Sequence, residues 1–272
     1  MAATDLTTLF SLQGKTALVT GGSRGIGKMI TQGFLEAGAR VYITARKAEA
    51  CNATAQELSK FGTCISIPAD IGTQEGRNAL LETFGKTEQQ LHILVNNAGK
   101  SWGEAFETYP DKAFDEVMHL NVGAIFSMTR DFCTLLAAGA SAEDPARVIN
   151  IGSMDGLHIP TATHTGTFAY TASKAAVHHL TRDLAIELAA RHITVNAIAP
   201  GFFPSKMTDF VLENFQKDIE ENCPLKRVGQ TEEMAGVAIY LSSRAGAYTN
   251  GAIIPVDGGT SINHQHVKVE KY

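Results

Sequence analysis

The stretch Thr20-Gly21-Gly22-Ser23-Arg24-Gly25-Ile26-Gly27 decides the fold class of this chain. It follows a short apolar run, Thr16–Thr20, which is typical of a buried strand. It opens a segment with apolar residues at helix-face spacing, and Gly38 stands where that helix would stop. Those apolar residues are Ile26, Ile30, Phe34 and Ala37. A strand, a glycine-rich turn and a helix in this order predict a nucleotide-binding βα unit, and a merely structural turn is the alternative.

Glycine is needed at three positions of the turn, each for a different physical reason. Gly21 permits a tight turn, and Gly27 lets the helix pack close to the strand. Gly25 lets a pyrophosphate approach the backbone at the helix N-terminus, where free N–H groups and the helix dipole favour anions. The predicted cofactor-binding residues of the turn are Gly21, Ser23, Arg24, Gly25, Ile26 and Gly27.

Further apolar, β-branched runs alternate with helical patterns along the rest of the chain. With the first run they are Thr16–Thr20, Val41–Thr44, Cys64–Ile67, His92–Val95, Val148–Ile151, Ile193–Ile198 and Ala252–Val256. Most are apolar on both faces, as in a parallel sheet buried under helices. They predict an α/β, doubly wound Rossmann-type fold with a seven-stranded parallel sheet and helices on both faces. An eight-stranded α/β barrel is the rival, and the glycine turn and the strand count disfavour it.

Composition narrows the function classes. The 272 residues suit one large domain, residues 1–272, with 260–272 as a polar tail. The net charge of −5 comes without any Lys/Arg cluster, which disfavours nucleic acids and membranes as partners. The N-terminus lacks a signal-peptide pattern, and the four scattered cysteines predict free thiols and a cytoplasmic protein. No His, Cys and carboxylate set has metal-site spacing, so no metal is predicted.

The end of the second strand indicates which nucleotide is bound. NAD-binding chains usually place an acid there to bind the ribose 2′-OH, but this strand runs into Ala45 and Arg46. Arg46 and Arg24 together suit a 2′-phosphate, because guanidinium groups form charge-assisted hydrogen bonds with phosphate. The sequence therefore predicts NADP(H), with two solvated surface charges as the alternative.

A tyrosine and a lysine four residues apart carry the candidate chemistry. Tyr170 and Lys174 share one face of a predicted helix, and the ammonium is expected to lower the phenol pKa toward neutrality. Tyr170 can then exchange a proton with an alkoxide. Ser153 follows the strand Val148–Ile151, where its hydroxyl could polarise a carbonyl. Asn121 lies in an otherwise apolar helix, as a water holder for proton relay or as a structural asparagine.

In this order the motifs resemble the short-chain dehydrogenase/reductase family over about residues 10–260. The resemblance implies a catalytic tetrad of Asn121, Ser153, Tyr170 and Lys174. It implies a homotetramer or homodimer. It also implies further cofactor contacts at Asp70, Ile71, Asn97, Ala98, Gly99, Tyr170, Lys174, Phe203 and Ser205.

Within the family, four stretches resemble bacterial 3-oxoacyl reductases of the rhamnolipid type. They are Gly21–Cys51, Asn96–Pro110, Pro145–Ser153 and Ile198–Thr208. The resemblance implies NADPH-dependent reduction of a ketone in a 3-oxoacyl thioester to a 3-hydroxyacyl thioester.

Two features keep other functions open. The loop 154–169 is longer than usual for the family and carries His158 and His164, and Leu135–Asp144 lacks the basic residues that would dock an acyl carrier protein. The alternatives are a reductase or dehydrogenase of another small ketone or alcohol (a polyol, a cyclic ketone or a polyketide intermediate) and, from another class, a non-catalytic NADPH-binding regulator.

Overall fold

The apolar runs of the sequence form one parallel sheet in the computed structural model, which describes residues 5–159 and 166–263. Within those residues the sheet has seven strands. They are β1 (Thr16–Thr20), β2 (Arg40–Thr44), β3 (Cys64–Ser66), β4 (Ile93–Asn96), β5 (Ala146–Ile151), β6 (Ile193–Pro200) and β7 (Ile253–Val256). Every neighbouring pair is parallel, and the order is β3-β2-β1-β4-β5-β6-β7. The predicted fold class is confirmed, and the barrel is excluded because the sheet is open.

Helices connect the strands and cover both faces of the sheet. They are α1 (Leu6–Leu9), α2 (Gly25–Glu36), α3 (Ala48–Leu58), α4 (Gln74–Gly85), α5 (Asp111–Met118), α6 (Ala124–Asp131), α7 (Cys133–Ala138), α8 (Phe168–Leu188), α9 (Asp209–Asn222) and α10 (Thr231–Ser242). Helix α2 ends as the sequence predicts, because Gly38 adopts φ +97° just after it.

Two apolar layers hold the helices on the sheet, one on each face. Along β1, Ala17 and Val19 pack into one layer and Leu18 into the other, because successive side chains of a strand point to opposite faces. The first layer includes Phe34 of α2, and the second includes Leu184 of α8. Burial of one such large apolar side chain stabilises the fold by about 1.5–3 kcal/mol.

The strand order reverses between β1 and β4, and this reversal indicates where a ligand-binding site is expected. β1 leads to β2 on one side, whereas β4 continues to β5 and β6 on the other. In doubly wound sheets, ligands bind at the carboxyl ends of the strands beside this reversal. The residues after β1, β4, β5 and β6 therefore meet at one edge of the sheet.

A search of the described residues for a helix both long and apolar enough to cross a membrane finds none.

Candidate active site

The turn after β1 forms a backbone cradle that leaves no room for side chains. Gly21 and Gly25 adopt φ +64° and +51°, which L-residues with a side chain rarely adopt. A Cβ on Gly27 would collide with the carbonyl oxygen of Gly21, and one on Gly25 would lie 3.0 Å from the Cβ of Ser205. The cradle is therefore a bare backbone surface between α2 and the loop after β6.

The N-terminus of α2 opens into this cradle. Arg24 is the N-cap residue, and its side chain makes no capping hydrogen bond. The first N–H groups of a helix have no partner within the helix, so those of α2 are available to an anion. This arrangement fits a dinucleotide pyrophosphate.

The cradle is braced by Thr20 and Asn97 rather than by its own residues. The Thr20 hydroxyl accepts hydrogen bonds from the backbone N–H groups of Asn97 and Ala98, at 2.9 and 3.0 Å. The Asn97 amide in turn donates to the carbonyl oxygens of Thr20 and Gly21, at 2.9 and 3.2 Å. Thr20 was not predicted from the sequence as a site residue. The Asn97 side chain thus joins the end of β4 to the end of β1.

Arg24 and Arg46 follow the ends of neighbouring strands, β1 and β2, and both are exposed. Within residues 5–159 and 166–263, neither guanidinium takes part in a hydrogen bond or an ion pair of the protein. Two unpaired guanidinium groups beside the cradle fit the 2′-phosphate of NADP(H).

The remaining predicted cofactor residues lie along the same edge. The Asp70 carboxylate accepts a hydrogen bond from the Gly72 N–H at 3.0 Å, and Ile71 is buried. A Cβ on Gly99 would lie 3.2 Å from the Asn121 amide oxygen, so the chain after β4 passes close to Asn121. The Phe203 side chain is buried against Gly229, which leaves its backbone as the part that can contact a ligand.

Helix α8 brings Lys174 beneath the end of β5. Lys174 is buried, and its ammonium donates to the carbonyl oxygen of Ile151 at 2.7 Å. It lies 5.4 Å from the centroid of the Tyr170 ring. Ser153 follows the same strand, and its hydroxyl accepts a hydrogen bond from the Asp155 N–H at 3.1 Å and bonds to the Tyr170 phenol. The structure thus brings Ser153, Tyr170 and Lys174 together.

The expected lowering of the Tyr170 pKa is wrong for the protein alone. Burial raises the pKa of Tyr170 to about 12, although the hydrogen bond from Ser153 opposes the rise. Burial also lowers the pKa of Lys174 to about 8, and the negative charge of Asp155 opposes that shift. Desolvation dominates the Tyr170 shift and the negative charge of Asp155 adds to it, while the Lys174 ammonium is bonded to the Ile151 carbonyl.

Asn121 lies in a single π-helical turn, His119–Gly123, between α5 and α6. Its amide oxygen accepts from the Lys100 N–H, and its amide nitrogen donates to the Lys100 carbonyl and the Ser173 hydroxyl, each at 2.9 Å. The side chain therefore ties the segment after β4 to α8. Single π-turns inside α-helices are frequent at functional sites.

A cavity of about 880 Å³ lies beside the segment that follows Ser153, from Asp155 onward. It is lined by residues 103–106, by 155–159 and 166–168 of the long loop, and by the exposed side of the first turns of α8. His158 lines it, whereas His164 lies outside the described residues. Asp155, which also lines it, was not predicted from the sequence, where its signal is a carboxylate two positions after the candidate catalytic serine.

His178 lies one helical turn beyond Lys174. It is buried, and neither of its ring nitrogens has a hydrogen-bond partner among the described residues. Its ring packs against Gly152 and Gly156, where any Cβ would collide with it. Burial and the charge of Lys174 lower the pKa of His178 to about 4. It therefore supports the Ser153 turn as a neutral residue.

No group of three or more His, Cys, Asp or Glu residues within 5–159 and 166–263 could hold a metal ion.

Comparison with known proteins connects this site to one family. A family model described as enoyl-(acyl carrier protein) reductase matches residues 21–261. The chain is 52% identical over 252 residues to the 3-oxoacyl-(acyl-carrier-protein) reductase of rhamnolipid biosynthesis from Pseudomonas aeruginosa, covering 92% of this chain and 97% of that protein. It is 38% identical to the L-tagatose-forming galactitol 2-dehydrogenase of Cereibacter sphaeroides, covering 95% and 99% of the two chains.

A solved structure agrees with the sequence relatives. The active-site complex of Pseudomonas aeruginosa RhlG with NADP superposes with a TM-score of 0.90 at 51% identity, covering 93% of this chain and 99% of that one. The similarity extends over nearly the whole of both chains. This chain belongs to the short-chain dehydrogenase/reductase family.

Proposed function

We propose that this protein is an NADPH-dependent reductase that converts the ketone of a 3-oxoacyl thioester to a secondary alcohol. The observation that carries the proposal is the meeting of Ser153, Tyr170 and Lys174 at the carboxyl edge of the sheet, beside a bare glycine cradle. The similarity to the rhamnolipid 3-oxoacyl reductase supports the thioester substrate.

NADP(H) is the proposed cofactor. The cradle formed by Gly21, Gly25 and Gly27 would hold the pyrophosphate, and Arg24 and Arg46 the 2′-phosphate. The NADP complex of RhlG supports this assignment. When bound, NADPH supplies the hydride for the ketone carbon.

Tyr170 is the proposed proton donor to the ketone oxygen. With its pKa near 12, its phenol keeps its proton at neutral pH, which suits an acid in the reduction direction. The Ser153 hydroxyl polarises the carbonyl and stabilises the phenolate left behind through its hydrogen bond to the phenol. The Lys174 ammonium adds positive charge beneath the ring, 5.4 Å from its centroid.

Asn121 acts on the reaction through the backbone. Its amide fixes Lys100 and Ser173, so the segment after β4 and the first turns of α8 keep one spacing. We infer that this spacing sets the distance between the cofactor channel and Tyr170. A proton relay through water at the π-turn stays a prediction.

We expect the protein to act on a small-molecule or thioester substrate in the cytoplasm as a homotetramer or homodimer. Its four cysteines are buried free thiols, which suits a reducing compartment.

The expected assembly has support in exposed apolar side chains. Phe126 of α6 and Ile186 of α8 are 44% and 81% exposed, and contact with a second copy would cover them. Light scattering on the purified protein measures the assembly directly.

NADPH oxidation with a matched substrate panel tests the function. The panel contains a 3-oxoacyl thioester, the corresponding 2-enoyl thioester, a ketose and a cyclic ketone, with NADH as the cofactor control. Turnover of the 3-oxoacyl thioester with NADPH supports the proposal. Turnover of the enoyl thioester alone would assign carbon–carbon double-bond reduction, and turnover of the other ketones alone would refute the thioester assignment.

A further inference from the structure

The loop after β3 runs beside the proposed site of the 2′-phosphate. The Ala69 N–H donates to the Ala45 carbonyl oxygen at 3.2 Å, so the chain after β3 stays alongside the end of β2 as far as Arg46. Arg46 is proposed to bind the 2′-phosphate, which NADP(H) carries on its adenosine ribose. We therefore expect the next residues, Asp70–Thr73, to border the adenosine half of the cofactor.

Polar groups within this loop determine its shape. The Asp70 carboxylate accepts a hydrogen bond from the Gly72 N–H at 3.0 Å, and the Asp70 carbonyl oxygen accepts from the Thr73 hydroxyl at 3.1 Å. The Thr73 hydroxyl in turn caps α4 by accepting from the Gly76 N–H at 3.0 Å. These bonds fix the shape of the loop, and contacts with other elements fix its position.

Two side chains attach the loop to neighbouring helical segments. Arg77 of α4 is buried, and it donates to the Ile71 carbonyl oxygen at 3.0 Å and to the Asp131 carboxylate of α6 at 3.1 Å. The Nε2 of His119 lies 2.6 Å from the Gly72 carbonyl oxygen. Because a carbonyl oxygen can only accept, this nitrogen carries a proton and donates it to the hydrogen bond.

His119 begins the π-turn that also carries Asn121. Side chains two residues apart on a helix do not face each other, and here Asn121 is bonded to the segment after β4 and to α8, whereas His119 is bonded to Gly72. Between them, the Cδ1 of Leu120 lies 3.9 Å from the position that a Cβ on Gly72 would take. One turn of five residues therefore joins the loop after β3 to the elements that carry the catalytic groups.

We propose that His119 is a positioning residue for NADP(H), which holds the loop after β3 against the π-turn and thereby fixes the adenosine side of the site relative to the catalytic side. The inference rests on the proposed NADP(H) site. Arg77 forms a buried ion pair with Asp131, so its loss would also disturb the packing of α4 against α6. His119 is exposed, and its hydrogen bond can be removed without opening the core.

Ligand binding to His119→Ala tests the proposal. Calorimetry compares NADPH with adenosine 2′,5′-bisphosphate, which contains only the adenosine half and its 2′-phosphate. We expect the Kd of both ligands to rise by about three- to tenfold, the effect of losing one hydrogen bond. His119→Gln keeps an N–H donor and should recover part of the affinity. His179→Ala, at a histidine whose side chain is 77% exposed on α8, should bind both ligands as the wild type does.

Kinetics and hydrogen exchange separate positioning from a general effect on the fold. In His119→Ala the KM for NADPH should rise, while kcat at saturating NADPH stays near the wild-type value because Asn121 keeps its own hydrogen bonds. In the cofactor-free protein, amide hydrogen exchange should become faster in Asp70–Thr73. Exchange should stay unchanged at Lys100, whose N–H is bonded to the Asn121 side chain.

Unchanged Kd values for both ligands in His119→Ala would overturn the proposal. A fall in kcat as large as the rise in Kd would do the same, since His119 would then act on the whole site, and so would a His119→Gln variant that binds no better than His119→Ala. Failure of the proposed function looks different: the wild type binds NADPH but reduces no 3-oxoacyl thioester, and the Kd comparison still decides the role of His119. A wild type that binds neither ligand would overturn the cofactor assignment and this inference together.

Discussion

The Lys174 ammonium donates to the carbonyl oxygen of Ile151 at 2.7 Å, which joins the first half of α8 to the end of β5. This bond places a buried cation beneath the Tyr170 ring and beside the Ser153 turn. The two side chains therefore differ in role. The lysine ammonium is bonded to a backbone carbonyl, whereas the tyrosine keeps its proton at neutral pH because its pKa is high.

The pH dependence of reduction follows from this arrangement. Lys174, with its pKa lowered to about 8, loses its charge as the pH rises through that value, whereas Tyr170, with its pKa near 12, stays protonated. The rate of ketone reduction should therefore fall above about pH 8, as measured by NADPH oxidation at saturating substrate. Asp155→Asn should move this fall to lower pH, because the Asp155 charge raises the Lys174 pKa. A profile that the variant does not shift would contradict this coupling.

Tyr170→Phe tests proton donation. Loss of the phenol proton should lower kcat by about 10²–10⁴-fold, the usual contribution of a general acid. Binding of NADPH, followed by fluorescence titration, should change little, since the cradle proposed to hold the pyrophosphate is formed by glycine backbone after β1. Retention of more than a tenth of the wild-type kcat would argue against Tyr170 as the acid.

Cofactor choice should depend on the two exposed arginines. Arg24→Ala and Arg46→Ala should each raise the KM for NADPH by about tenfold and leave the KM for NADH nearly unchanged, because only NADPH carries the 2′-phosphate. Arg244→Ala, at an exposed arginine just after α10, is the matched control. A similar rise for both cofactors would assign the arginines a structural role instead.

The glycine cradle makes a prediction about stability. Gly27→Ala places a Cβ against the Gly21 carbonyl, so the free energy of unfolding should fall by about 1–3 kcal/mol or more. Gly236→Ala is the control: it also lies inside a helix, but nothing lies within 4 Å of its Cβ position. There, alanine should stabilise the protein by about 0.5–1 kcal/mol. Urea denaturation of both variants measures the contrast, and equal effects would contradict it.

His178 should limit stability in acid. Its pKa is lowered from 6.5 to about 4 in the folded state, so the unfolded chain binds the additional proton between these values. The free energy of unfolding therefore decreases as the pH falls from 6.5 to 4, by about 3 kcal/mol from this residue alone.

A paired substitution isolates that contribution. His178→Gln should flatten the acid side of the stability curve, measured by urea denaturation at several pH values. His179→Gln, at the adjacent histidine whose side chain is 77% exposed, should leave the slope as in the wild type. Identical slopes for the two variants would show that His178 is not buried in its neutral form.

The sequence alone determined the fold class, the strands and the glycine turn after β1. These features are local: a glycine turn between Thr20 and Gly27 and short apolar runs each specify their own element through sterics and burial, and β1 begins and ends where its pattern predicts. Tyr170 and Lys174 could likewise be paired from their spacing, because four residues span about one helical turn.

Only the tertiary structure decided how these residues are perturbed and what surrounds them. The high pKa of Tyr170 and the low pKa of Lys174 arise from desolvation, which depends on the packing of α8 against β5 and β6. The cavity beside α8 depends on segments distant in sequence, because residues 103–106, 155–159 and 166–168 meet there. Periodicity and motifs report local preference, whereas burial and electrostatics are properties of the assembled fold.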